Sequence, residues 1–240
     1  VVFSLFIVFL NSCGTPRVFR LEPEQKNGFY YQGTNYVQSM EDSLWITLAY
    51  FKHDDNHIIF DIEIANRTDK VIRVDPANIS YEARWDPGRV IGPDPEGMKT
   101  VRGKAVDPEK RLVEIDMNIA EQKQQQKIDD GAYSALYALG IAAHISADSP
   151  KEKHMVSEQQ KDLHYYHAQN HNEHQSRMRT YNNIRDKWAL GALRISDLRP
   201  GEYIQGRIYI PGHTKAEYYS LKVPMQGSIH SFNYRQKVIE

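Results

Sequence analysis

Residues 43–66 read SLWITLAYFKHDDNHIIFDIEIAN. In the first half Leu44, Ile46, Leu48 and Tyr50 alternate with Trp45, Thr47, Ala49 and Phe51, the period of two that belongs to a strand. Both sets are fairly apolar, so this strand is expected in the middle of a sheet. The polar run from Lys52 to Asn56 reads as a hairpin loop. Beyond it Ile58, Phe60, Ile62 and Ile64 point one way while Asp61 and Glu63 point the other, which predicts one dry and one wet face. The same pattern continues outward. Asn66 to Asp69 turns the chain, Val71 to Val74 is a short strand, Asp75 to Asn78 turns again, and Ile79 to Trp85 is another strand. Short strands joined by tight polar turns predict two packed antiparallel sheets.

Strands return at the C-terminus. Ile204, Gly206, Ile208 and Ile210 share a face, Tyr219, Leu221 and Val223 alternate, and His230, Phe232 and Tyr234 line the last strand. Between the two strand regions the period changes. Residues 86 to 106, rich in Pro and Gly, read as a long loop. Asp107-Pro108 is a helix start, with Asp as N-cap and Pro in the first turn. Leu112, Ile115 and Ile119 follow at helical spacing, Gly131 is a candidate break, Ser146 to Lys153 a connector, and Met155 to Lys187 a long polar helix. The predicted fold is therefore α+β: an antiparallel β-sandwich over 43–240 with a long α-helical hairpin inserted at about 107–190. Neither strand region has enough strands to bury its faces alone, so one domain is expected.

Two segments resemble a known family. Asn66 to Ala83 resembles the strand-turn-strand of immunoglobulin-like domains in bacterial envelope lipoproteins, and Leu198-x-Pro-Gly-Glu-x-x-x-Gly-Arg-Ile-Tyr-Ile-Pro resembles the later strands of the same domains. The resemblance covers about half the chain. It implies an immunoglobulin-like sandwich in a cell-envelope setting, for which enzymatic activity is mostly unassigned.

The N-terminus is consistent with that setting. Val1 to Leu10 is an apolar run of ten residues, half of the roughly 20 needed to span a bilayer, and matches the apolar part of an export signal that the chain enters partway. Leu10-Asn11-Ser12-Cys13 resembles a lipobox. Residues 1–12 are then expected to be a truncated signal peptide. Cys13 becomes the lipidated N-terminus, carrying a diacylglycerol on sulfur and a palmitate-like acyl chain on its amine, an anchor of several chains. Residues 13–42 are expected to be a tether and irregular entry segment. Gly14, rather than Asp, favours the outer membrane, facing the periplasm. Cys13 is the only cysteine, so the body must stand on its core without an internal disulfide. Thirty basic against thirty-one acidic residues predict no nucleic-acid partner.

One cluster carries possible chemistry. His164, His167, His171 and His174, spaced 3, 4 and 3, share one face of the second helix. Imidazoles at this spacing can share zinc or another transition metal, and Glu173 lies beside the row. The row also continues through Met178, Tyr181, Arg185 and Trp188 as a heptad seam, which favours helix packing. If all four rings were protonated they would repel, so acid near pH 5 is expected to loosen the helices first. Asp54-Asp55, Asp129-Asp130 and the pair Glu22 and Glu24 read as turns or solvated faces. No hydrolase, nucleotide-binding or metalloprotease motif is present. The sequence therefore points to a non-enzymatic, lipid-anchored envelope protein with no cofactor, its helices contacting a protein partner in a binding or scaffolding role. The alternative is a metal-binding protein using the four histidines.

Overall fold

The computed structural model describes residues 18–54, 56–85 and 99–239; Cys13 and the segment before it lie outside them. The strands are β1 (Val18–Pro23), β2 (Phe29–Tyr31), β3 (Thr34–Glu41), β4 (Leu44–Asp54), β5 (His57–Asn66), β6 (Ile72–Val74), β7 (Ser80–Trp85), β8 (Lys99–Lys104), β9 (Ser196–Leu198), β10 (Tyr203–Pro211), β11 (Tyr218–Met225) and β12 (Ser228–Ile239). The helices α1 (Pro108–Ser146) and α2 (Pro150–Gly191) lie between β8 and β9 in the chain. The described residues form two compact units: those within 18–73, 78–105 and 197–239 make a β unit, and residues 74–77 with 106–196 make a helical one.

In the β unit one antiparallel sheet runs β1-β12-β11-β7-β8 and a second runs β10-β5-β4-β3-β2; β6 and β9 pair as a separate short ribbon. The alternation in 43–66 decides the inner face. Leu44, Ile46 and Leu48 of β4 and Ile58, Phe60, Ile62 and Ile64 of β5 are buried, as are Tyr219, Leu221 and Val223 of β11 and Phe232 and Tyr234 of β12. The two inner faces meet. The Phe60 and Tyr234 rings pack edge-on with centroids 5.0 Å apart, and the Tyr234 hydroxyl donates to the Leu48 carbonyl at 3.3 Å. β4 is interior to its sheet, between β3 and β5. Of its second apolar set Ala49 is buried as well, while Trp45 and Phe51 are exposed.

Residues 18–41, expected to be an irregular entry segment, form β1, β2 and β3. Each of the longer two contributes one fully buried apolar side chain, Leu21 or Val37, too few to make a period visible; pairing with β12 and β4 supplies the rest. Three two-residue hairpin loops join neighbours, each with both residues at positive φ: Gln32-Gly33, Asp42-Ser43 and Gln226-Gly227. That is the turn whose twist suits a tight hairpin. β8 also lies inside the stretch read as loop.

Asn66, at the end of β5, is a buried polar junction. Its amide donates to the carbonyls of Lys70 and Leu198 (2.7 and 2.9 Å), and its Oδ1 accepts from the Thr68 backbone N–H and hydroxyl (3.0 and 2.7 Å). Asn66→Ala removes four hydrogen bonds at a buried position. It should destabilise the protein by on the order of 2–4 kcal/mol, read as a lowered denaturant midpoint with unchanged slope; a shift under half a kcal/mol rejects this role.

Candidate functional site

Both helices start where the local chemistry dictates. Asp107 accepts from the backbone N–H of Glu109 and Lys110 at 2.9 and 3.2 Å. Ser149 and Glu152 form a reciprocal capping box before Pro150, so α2 begins inside the stretch read as connector. The Ser-x-x-Glu spacing was the available signal. α1 runs through Gly131 without a break; one glycine costs about 1 kcal/mol, less than a long helix gains by packing along its length.

The helices run antiparallel, side by side: Arg185 of α2 donates to Asp116 of α1 at 2.7 Å, and further along Tyr133 of α1 meets His164 of α2. The seam on α1 changes character along its length. Leu112, Ile115 and Ile119 are buried near its start. Gln122, Gln126, Asp129 and Tyr133 then take the same face, at heptad spacing.

All four histidines of the row face α1. His174 is 6% exposed, and its Nε2 lies 2.8 Å from Asp129 Oδ2. His167 Nε2 lies 2.9 Å from Asp130 Oδ1, while its ring stacks on Tyr133 with centroids 3.9 Å apart. His164 Nδ1 meets the Tyr133 hydroxyl at 2.6 Å, and its ring meets the edge of Tyr137. His171 contacts Gln126 and Gln175. The rings therefore share a face without converging on one point. Glu173 pairs with Arg177 instead, and among the described residues no group of three or more His, Cys, Asp or Glu side chains is placed to hold a metal ion. Asp129 and Asp130, read from sequence as a solvated or turn pair, are the histidines' partners. Their position on the α1 seam, one turn on from Gln126, was the signal.

In the β unit a cleft of about 620 Å³ opens between β1 and the β2–β4 region, lined among others by Arg20, Glu22, Tyr30, Asn35, Tyr50 and Phe51. That volume suits a small ligand. The Tyr50 hydroxyl donates to the Phe19 carbonyl at 3.0 Å, and burial raises its pKa. Glu22 is the one carboxylate among the lining residues and is paired with Lys237, so the cleft holds no acid–base pair of carboxylates.

The geometry changes the acid expectation. A carboxylate stands opposite two of the four rings, so positive charge gained there is met by negative charge. Donation from His174, and then from Gln125, holds the Asp129 carboxyl below its ordinary value. A carboxyl depressed in the folded state stabilises it at neutral pH, and this contribution is lost as pH falls through the carboxylate range. Helicity should therefore hold from pH 8 to 5 and fall below about pH 4, with Asp129→Asn flattening that acid limb; circular dichroism showing the main loss between pH 7 and 5 rejects the paired arrangement.

Searches against protein-family models and against curated proteins find no match.

Proposed function

We propose that this chain is a non-enzymatic, lipid-anchored protein of the cell envelope, of outer-membrane type and facing the periplasm. In this reading the β unit is immunoglobulin-like, and the helix pair is a binding or scaffolding contact for a protein partner. The lipobox-like Leu10-Asn11-Ser12-Cys13 supports the anchor. Two facing antiparallel sheets are compatible with the immunoglobulin-like assignment.

One observation carries the contact role. Residues 131–147 of the chain, almost all within α1, contain no Asp, Glu, Lys or Arg. Within them Leu136, Leu139, Ile141 and Ile145 are exposed, Leu139 by 66% and Ile145 by 78%. Earlier on α1 Val113, Met117 and Ile128 are exposed as well. Apolar side chains left in water at this density mark a surface that another molecule covers, because covering each Leu or Ile is worth about 1.5–3 kcal/mol. α1 gives the face of Tyr133, Tyr137 and Gly140 to α2; Leu139 and Ile145, like Val113, Met117 and Ile128, lie on the half of the helix turned away from it, while Leu136 and Ile141 flank the seam, so the partner meets the outer half rather than the histidine seam.

A photo-crosslinking residue placed at Leu139 should give a discrete adduct in cells, lost when Ile128 and Ile145 are both changed to Asp. No adduct from Leu139 overturns the contact role. Deleting residues 108–190 and rejoining the ends with a short loop should leave a β unit that unfolds cooperatively; an unfolded product means that the helices are needed for the core. Mass spectrometry of native protein should find Cys13 N-terminal and acylated, and a free thiol with an intact leader removes the anchor.

A further inference from the structure

The register of the first sheet gathers cations that are far apart in the sequence. Leu21, Tyr81, Tyr219 and Phe232 face the core, so their neighbours along each strand face outward. One cross-strand row then runs Glu22, Arg235, Tyr218, Arg84. The next rows place Glu82 beside Arg102, Lys222 and Lys104 on either side of Ser80, and Arg20 beside Lys237. Seven cationic side chains thus share one face with Glu22 and Glu82, and with Glu24, which bonds Asn233 just past β1, on a chain whose net charge is −1. Two of the three carboxylates are already paired. Glu82 is bound by Lys222 and Arg102 at 2.9 and 3.0 Å, and Glu22 by Lys237. Arg20, Arg84, Lys104 and Arg235 are exposed. The outward face of the other sheet has no such excess: Asp61 and Glu63 stand there with Arg207, among Met40, Trp45 and Tyr203.

One end of the basic face is apolar. Val18 and Ile239 are register partners beside Arg20 and Lys237, 56% and 47% exposed. Basic groups over one sheet face, with an apolar edge, match an anionic bilayer: phosphates for the guanidinium and ammonium groups, and the headgroup–acyl boundary for the apolar pair. The chain also brings this edge close to the proposed anchor. Val18 is the fifth residue after Cys13, a span of at most about 18 Å.

We infer that the outward face of the β1-β12-β11-β7-β8 sheet docks on an anionic lipid surface. Through Arg20, Arg84, Lys104 and Arg235, with Val18 and Ile239 at the edge, it lays the β unit on the membrane that carries its anchor. This deepens the envelope reading and rests on it for the choice of a membrane as the polyanion.

The test uses the full chain with Cys13→Ser, so that acylation contributes nothing to binding. It should co-sediment with vesicles of phosphatidylcholine plus phosphatidylglycerol, stay free of vesicles of phosphatidylcholine alone, and be released by high salt. Each basic group near an anionic surface strengthens binding about five-fold, so Arg84→Gln, Lys104→Gln and Arg235→Gln together should weaken it roughly 100-fold, with the melting curve unchanged. Lys151→Gln with Lys153→Gln, on α2, should leave binding as it was. Equal binding to both vesicle types, or full binding by the triple variant, overturns the inference. Binding of heparin or RNA without vesicle binding overturns it too, by assigning the face to another polyanion. A free thiol at Cys13 in native protein removes the anchor and leaves the vesicle result standing; an acylated Cys13 with no vesicle binding removes this inference alone.

Discussion

The pleat of a β-strand sends successive side chains to opposite faces, and the β unit is built on that constraint. Once the Phe60 and Tyr234 rings lock the inner faces together, every residue of β1, β4, β5, β7, β11 and β12 is committed to one side or the other. A slip of one residue would bury Arg84, Glu82 and Arg235 and expose Tyr81, Ala83 and Tyr234. The outer faces are thus determined by the packing of the inner ones. The basic character of one and the aromatic character of the other follow from where each strand's register comes to rest.

The helix pair follows a different rule. Its seam begins apolar at Leu112, Ile115 and Ile119 and then turns to Gln126, Asp129, Asp130 and Tyr133 against histidines. Such pairs add little net stability, because their carboxylates stay in contact with water, which screens much of the attraction. They do discriminate between registers: a shift by one heptad would separate His174 from Asp129 and His167 from Asp130. The polar stretch is read here as holding alignment, and the charge-free stretch of α1 as the surface left for a partner. This division explains why the histidines, although on one face, do not gather around a single point.

The two faces proposed for contact differ in kind. The exposed apolar side of α1 asks for a partner that removes it from water, a short-range and salt-insensitive demand. The outer face of the β1-β12-β11-β7-β8 sheet asks for negative charge, over a distance set by screening. A chain with net charge near zero carries both because its charges are unevenly distributed.

Much of this was readable beforehand. The period of two in 43–66 predicted β4 and β5 and named the buried face of β5; His230, Phe232 and Tyr234 marked the inner face of β12; and Asp107-Pro108 marked the start of α1. These are local signals, since a strand's alternation and a helix's cap involve neighbours along the chain. β1, β2, β3 and β8 were missed because each is held by its partner strand more than by its own apolar content. The histidine row was visible, but its partners were not, because Asp129 and Asp130 lie in a different helix and meet the row only when the two helices align. The basic face was invisible for the same reason: Arg20, Arg84, Lys104 and Arg235 are dispersed over the length of the chain, and only hydrogen-bonded register brings them side by side. Periodicities, caps and the candidate anchor at Cys13 are written in runs of adjacent residues. Which distant side chains become neighbours is set only on folding, because long-range pairing depends on the packing of whole faces and not on the residues beside them in the chain.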